Sequence, residues 1–179
     1  MGHLYFVRHG QTVWNVENKI CGVTESPLTE LGRKQAAETG RNILEEGIKA
    51  DEILYSPLSR AADTAKIISE MTGIPAKAEP RLKEQNFGKW ESTPRDGKEF
   101  AKAKESFACR YEGGESMLQL AQRIYNLLDE LKAESDKKTY ILVAHNGIAR
   151  MVHSYFQEMS NEEFAEFGIK NCQVVRYDF

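Results

Sequence analysis

The sequence predicts an α/β fold, a three-layer sandwich whose mostly parallel central sheet is flanked by helices on both faces. Two observations predict it. Short apolar runs of strand length alternate with longer amphipathic stretches of helical period, and such alternation builds parallel sheets covered by helices. Two of these runs, Leu4-Tyr5-Phe6-Val7 and Tyr140-Ile141-Leu142-Val143-Ala144, deliver a histidine and a glycine soon after they end: Arg8-His9-Gly10 and His145-Asn146-Gly147. In open α/β sheets, ligands sit outside the carboxyl ends of the strands, so His9 and His145 can converge on one ligand. The arginine beside the first points to an anion.

Each element follows in order. Residues 4–8 read as a buried strand. A turn-like stretch at Glu25-Ser26-Pro27 precedes a helix from Thr29 to Glu46, with Thr29 as its N-cap. Ile53-Leu54-Tyr55 is a second short strand, and Ser56-Pro57 is expected to open a helix running to Thr72. A third strand is expected from Ala76 to Glu79. Phe87 to Gly114 reads as polar and glycine-punctuated, with only a short helix at 98–104. From Ser116 to Ala133, Leu120, Ile124, Leu127, Leu128 and Leu131 mark one face of an amphipathic helix. The strand ending at Ala144 follows, then helical segments, then a last strand from Gln173 to Tyr177. With no repeat, low-complexity tract or linker, a single domain over 1–179 is expected, with a short cap segment near 87–114.

Composition narrows the function. At 179 residues the chain is long enough for a substantial core, and its 41% hydrophobic and 28% charged fractions are those of an ordinary soluble protein. A net charge of −3 and a pI near 5.9 argue against a nucleic-acid partner, which usually demands a basic surface. No apolar run has transmembrane length, the opening residues do not read as a signal peptide, and Phe6 stands where a myristoylation signal wants Ser or Thr. Cys21, Cys109 and Cys172 have no metal-ligand spacing and cannot all pair within the chain, so reduced thiols and a cytoplasmic location are expected. The sequence carries no signal for an oligomeric state.

Histidine attacks phosphorus when its imidazole is neutral, and an adjacent guanidinium both disfavours the imidazolium and clamps phosphate oxygens. Arg8-His9 alone is nevertheless more economically read as a structural histidine beside a solvated arginine. Arg60 shifts that balance, because it follows the second strand in the first turns of a helix, where the dipole and free N–H groups favour anions. An exposed helical arginine is the competing reading. Glu84 is either a general acid or a solvated loop carboxylate, and His145 either a phosphoryl donor or the end of a strand. His3 and His153 lack such a setting and read as structural.

Taken as an ordered set, these segments resemble the histidine phosphatase superfamily, the phosphoglycerate mutase-like family. The matching motifs are Arg8-His9-Gly10-Gln11-Thr12 with Asn15, Ser56-Pro57-Leu58-Ser59-Arg60-Ala61 with Thr64, Glu84 with Phe87-Gly88, and His145-Asn146-Gly147. Pro27-Leu28-Thr29 with Gly32 adds a weaker match. The resemblance implies that His9 is the nucleophile, forming a phosphohistidine through Nε2. It implies that Arg8, Arg60 and His145 hold the phosphoryl oxygens, and that Glu84 protonates the leaving group and then activates water. Substrate contacts are implied for Arg8, Asn15, Cys21, Gly22, Arg60 and Asn146. No metal and no cofactor are expected, because the chain offers no carboxylate–histidine cluster.

Within that family the resemblance leaves two activities to weigh. Trp14-Asn15-Val16-Glu17-Asn18 resembles the cofactor-dependent phosphoglycerate mutases. Against this, residues 89–114 are short and lack an Arg-Arg pair, Phe87 replaces a tyrosine, and Cys21 replaces a threonine, a better hydrogen-bonding residue. A phosphomonoester hydrolase acting on a small phosphorylated metabolite is therefore expected, with a mutase as the alternative. Lys98, Lys102, Lys104 and Arg110 either meet an anionic substrate or form a solvated face balanced by Asp96, Glu99 and Glu105. A catalytically silent phosphate-binding module has no use for His9, Glu84 and His145 together. A nucleotide-binding protein would want a GxGxxG turn after the first strand.

Overall fold

In a computed structural model that describes residues 2–179, the apolar runs pair into one five-stranded sheet. The strands β1 (His3–Arg8), β2 (Glu52–Tyr55), β3 (Ala76–Ala78), β4 (Tyr140–Ala144) and β5 (Val174–Asp178) lie in the order β3-β2-β4-β1-β5. The first four run parallel, and β5 pairs antiparallel with β1 at one edge. Among the described residues the helices are α1 (Val13–Val16), α2 (Glu30–Glu45), α3 (Ser59–Thr72), α4 (Lys98–Ala103), α5 (Met117–Glu134), α6 (Asn146–Phe156) and α7 (Asn161–Glu166).

Alternation along the strands sorts the core into two layers. Val7, Ile53, Ile141 and Val143 pack on Ile43 of α2 and on Ala65 and Ile68 of α3. Leu4, Phe6, Leu54 and Leu142 face the other way, onto Leu120, Ile124, Leu127 and Leu128 of α5 and Ile148, Met151 and Val152 of α6. β4 is buried along its whole length, which is why its sequence is continuously apolar instead of alternating.

The strand register positions the site. Arg8 pairs with Ala144 across β1–β4, and Tyr55 with Val143 across β2–β4. The ladders run one step further, with His9 N–H donating to the Ala144 carbonyl at 2.9 Å and Ser56 N–H to that of Val143 at 3.0 Å. His9, Ser56 and His145 therefore leave three adjacent strands side by side.

Helix starts follow local chemistry in most places. Thr29 Oγ1 accepts the Gly32 N–H at the head of α2, and Ser116 with Gln119 forms a capping box at the head of α5. The exception is α3, expected to open at Ser56-Pro57 but starting at Ser59, after an extended Leu58 that makes no side-chain cap. Its cap comes from elsewhere in the chain: Glu25 Oε2 accepts the Ser59 N–H at 2.9 Å. The single-turn α1 escapes a periodicity search because four residues carry too little pattern, although its Thr12–Asn15 capping box is well formed. The third strand ends at Ala78, and the last is displaced by one residue, to Val174–Asp178.

The segment 87–114 differs from its polar reading. Phe87, Trp90, Phe100, Ala103 and Tyr111 gather around Ile20 in a small aromatic cluster. These residues are too irregularly spaced to show a period, so only tertiary packing reveals them. An antiparallel bridge between Lys19 and Pro94 ties the segment to the stretch after α1. No helix among the described residues is long and apolar enough to cross a membrane.

Candidate active site

His9 follows β1 and is buried, with 5% of its surface exposed. Its Nδ1 lies 2.7 Å from the Gly10 carbonyl oxygen, which can only accept, so Nδ1 carries the hydrogen and Nε2 keeps its lone pair. Burial, then the charges of Arg60 and Arg8, hold its pKa well below the usual 6.5. A neutral imidazole with a free Nε2 is the form that attacks an electrophile. The turn after it is tight: the Gly10 N–H donates to Thr64 Oγ1 at 3.0 Å, and a side chain at Gly10 would run into the Gly32 backbone.

Two guanidinium groups flank this ring. Arg60, in the first turn of α3, is 1% exposed and hangs on backbone carbonyls, donating from Nη1 to Thr24 at 2.9 Å and from Nη2 to Gly22 at 2.5 Å. Arg8 Nη1 donates to the Ile169 carbonyl at 2.6 Å, and burial together with Arg95 lowers its pKa to about 10. Neither arginine forms an ion pair among the described residues. Buried charge without a carboxylate partner is costly unless a ligand supplies the counter-charge.

His145 caps the N-terminus of α6 and is 1% exposed. Its Nε2 sits 2.6 Å from Ser56 Oγ, and its ring centroid lies 5.3 Å from that of His9. Burial, Arg60 and His9 hold its pKa well below the ordinary value. With the Ser56 hydroxyl donating to Nε2, Nδ1–H becomes a donor. Three buried side-chain nitrogens lack a hydrogen-bond partner among the described residues, and they are Arg8 Nε, Arg60 Nε and His145 Nδ1. Buried polar atoms are rarely left unpaired, and these three suit the oxygens of a phosphoryl group.

Glu84 lines the same cavity as Arg8 and His9 and is 5% exposed. Its Oε1 accepts the Gln85 N–H and its Oε2 the Gly147 N–H, both at 2.9 Å. A side chain at Gly147 would collide with this carboxylate, so the glycine after His145-Asn146 lets α6 approach Glu84. The four motifs thus supply groups to one cavity or to its walls.

The remaining expected contacts divide. Asn15, Asn146 and Cys21 line the cavity. Asn15 Oδ1 accepts from Thr12 N–H and Asn171 Nδ2, while Asn146 Oδ1 accepts the Ile169 N–H at 3.0 Å. Cys21 Sγ donates to the Thr24 carbonyl at 3.3 Å, and burial raises this thiol to about 11, so it is protonated at neutral pH. Gly22 is not among the lining residues; its N–H goes to Glu91 Oε2 at 2.9 Å and its carbonyl to Arg60. All three cysteines are free thiols. Of the four cations considered near the cap, only Lys104 lines the cavity; Lys98, Lys102 and Arg110 are exposed.

Arg95, Tyr111 and Arg150 also line the cavity and were not foreseen. Arg150 had a legible signal, because it lies four residues after Asn146 and so shares its helix face. Arg95 had none, since it sits in a turn-rich stretch fixed by its Nε donating to the Lys19 carbonyl at 3.1 Å. The described residues contain no group of three or more His, Cys, Asp or Glu side chains placed to hold a metal ion.

A neutral imidazole set among inward-facing guanidinium and imidazole nitrogens at parallel strand ends is a phosphoryl-handling arrangement. The chain belongs to the histidine phosphatase superfamily (branch 1), whose family model matches residues 4–179. A protein named probable phosphoglycerate mutase GpmB, from Yersinia pestis (strain Pestoides F), is 33% identical over 191 residues, which take in 100% of this chain and 86% of that one. The mycobacterial glucosyl-3-phosphoglycerate phosphatase Rv2419c has the same fold with a TM-score of 0.84 and 27% identity, over 98% of this chain and 89% of that one. The alpha-ribazole phosphatase from Shigella flexneri shares the fold at a TM-score of 0.83 and 23% identity, over 98% and 90% of the two chains.

Proposed function

We propose that this histidine phosphatase hydrolyses a small phosphomonoester through a phosphohistidine on His9, without a metal ion. The observation that carries the reading is the trio of unpartnered buried nitrogens, Arg8 Nε, Arg60 Nε and His145 Nδ1, beside an imidazole whose Nε2 keeps its lone pair. In the first step Nε2 attacks phosphorus as the ester P–O bond breaks, and the leaving oxygen takes a proton from Glu84. In the second, Glu84 removes a proton from water, the new hydroxide attacks phosphorus, and the P–N bond breaks to return His9 and inorganic phosphate. The arginines and His145 stabilise the charge on the equatorial oxygens in both steps. Asn15 and Asn146 complete the polar wall, and Cys21 and Gly22 act through the carbonyls that hold Arg60. Residues 1–179 work as one domain in which 87–114 serves as a short cap.

The test is phosphate release from a panel of monoesters in excess EDTA, with rapid quenching to trap an acid-labile, base-stable label on the His9 peptide. Turnover and label are expected. Loss of activity on chelation, restored by magnesium or zinc, would overturn the mechanism. The likeness to the protein named probable phosphoglycerate mutase GpmB, together with the Trp14 to Asn18 run, keeps one competing reading in the experiment. Bisphosphoglycerate-dependent interconversion of 3- and 2-phosphoglycerate, with negligible hydrolysis of every monoester, would decide for the mutase.

A further inference from the structure

The cavity holds more positive charge than a phosphoryl group needs. Arg8, Arg60, Arg95, Lys104 and Arg150 line it, against a single carboxylate, Glu84. A chain of net charge −3 has concentrated cations here. Arg8 and Arg60 suffice to face the charge of a monoester. The other three come from separate parts of the chain. Arg95 lies in the turn after the aromatic Trp90, Lys104 at the end of α4, and Arg150 one turn into α6 beyond Asn146.

None of these three has an ion-pair partner among the described residues. Arg150 Nε and Nη2 share only the Phe167 carbonyl, each at 3.3 Å, with its guanidinium 5.6 Å from the Phe164 ring. The Lys104 ammonium lies 5.1 Å over Phe100. Its electrostatic neighbours are Arg150 and Arg95, whereas those of His9 are Arg60, Arg8 and Arg95. Arg95 therefore stands between two groups of cations, and Lys104 with Arg150 marks the far one. Burial and mutual repulsion lower the pKa of Lys104, the cost of gathering cations with nothing to neutralise them.

We propose that Arg95, Lys104 and Arg150 form a second anion subsite, so that the substrate is a phosphomonoester carrying a further carboxylate or phosphate remote from the scissile ester. Phe100 and Tyr111, which line the cavity between the segment 87–114 and α6, pack against the body of such a substrate and keep it dry. A monoester with a neutral tail leaves the three cations uncompensated and binds less well. This inference deepens the phosphatase reading and rests on it for its kinetic arm.

The experiment compares kcat/KM within matched pairs. Glycerol 3-phosphate against 3-phosphoglycerate tests an added carboxylate, and glucose 6-phosphate against glucose 1,6-bisphosphate tests an added phosphate. At least one doubly anionic member is expected to be preferred by about tenfold or more. Arg95→Gln, Lys104→Gln and Arg150→Gln should each bring that ratio toward one, whereas Lys98→Gln, on the exposed side of α4, should leave it unchanged. Because Arg150→Gln also loses its bonds to Phe167, Lys104→Gln keeps the test decisive if the former fails to fold. Equal turnover within both pairs, or a ratio that survives all three substitutions, would overturn the subsite and leave the phosphatase reading standing. If no monoester is hydrolysed, calorimetry of 3-phosphoglycerate and glycerol 3-phosphate on His9→Ala, with and without Lys104→Gln, reads the subsite without turnover. A preference for the acid that Lys104→Gln removes supports it, and equal affinities refute it.

Discussion

β1 and β4 end alike, in an apolar strand that yields a histidine and a glycine, yet their two imidazoles are tied down at opposite nitrogens. His9 donates from Nδ1 to the Gly10 carbonyl and keeps a lone pair at Nε2. His145 is held at Nε2 by Ser56 Oγ and leaves Nδ1 without a partner. A carbonyl can only accept, so it dictates the tautomer of His9. A serine hydroxyl can also donate, so it allows His145 to present an N–H to the cavity. One pattern in the sequence thus serves two chemistries, and the partner of the remote ring nitrogen decides which.

The largest effect expected from breaking this contrast is at His9. His9→Ala should lower kcat by roughly 10⁴-fold or more and remove the phosphoryl label, since no other neutral imidazole in the cavity presents a free Nε2. An unimpaired variant in a steady-state assay would undo the contrast altogether. His145→Gln should cost about 10²- to 10³-fold in kcat, the scale of one transition-state donor, while the label on His9 still forms slowly. A variant that loses the label as completely as His9→Ala would show that the two rings are not divided in this way.

Ser56→Ala sharpens the comparison, because it touches only one ring. Removing one hydrogen-bond partner of His145 should lower kcat by about tenfold and leave the pH dependence of labelling at His9 unchanged. A shift in that dependence would mean that Ser56 also acts on His9.

The smallest effect concerns what the two rings share. Both are buried and neutral, with folded-state pKa values well below 6.5, whereas the unfolded chain titrates its histidines near 6.5. Below that pH the unfolded state binds more protons than the folded one, so stability falls on acidification from about 6.5 until the folded-state values are reached. Each ring contributes up to about 1.4 kcal/mol per pH unit in that window. Urea unfolding at about pH 7 and pH 5.5 should show a shallower loss for His145→Gln than for the parent chain. Equal slopes would place His145 outside this linkage.

Much of the site was legible because its parts are local. Arg8-His9, Arg60, Glu84 and His145 each lie in a short motif, and each supplies a group to the one cavity. Thr29 was readable as an N-cap because its partner, Gly32, is three residues away. The start of α3 was misread for the opposite reason, since the carboxylate that caps it belongs to Glu25. Arg95 and Tyr111 were invisible as lining residues, because no spacing in 87–114 betrays which side chains turn inward.

What the sequence determined by itself is whatever repeats within a few residues: the apolar strands, the amphipathic α2 and α5, the chemistry carried by the motifs, and the α/β class that their alternation implies. Tertiary structure alone decided the strand order, the antiparallel edge at β5, the tautomers of the two histidines and the second group of cations. Those outcomes depend on groups far apart in the chain, and many of them are backbone atoms. Gly10 O fixes His9, and the carbonyls of Gly22 and Thr24 hold Arg60. A carbonyl oxygen is the same in every residue, so no residue identity announces where it will point.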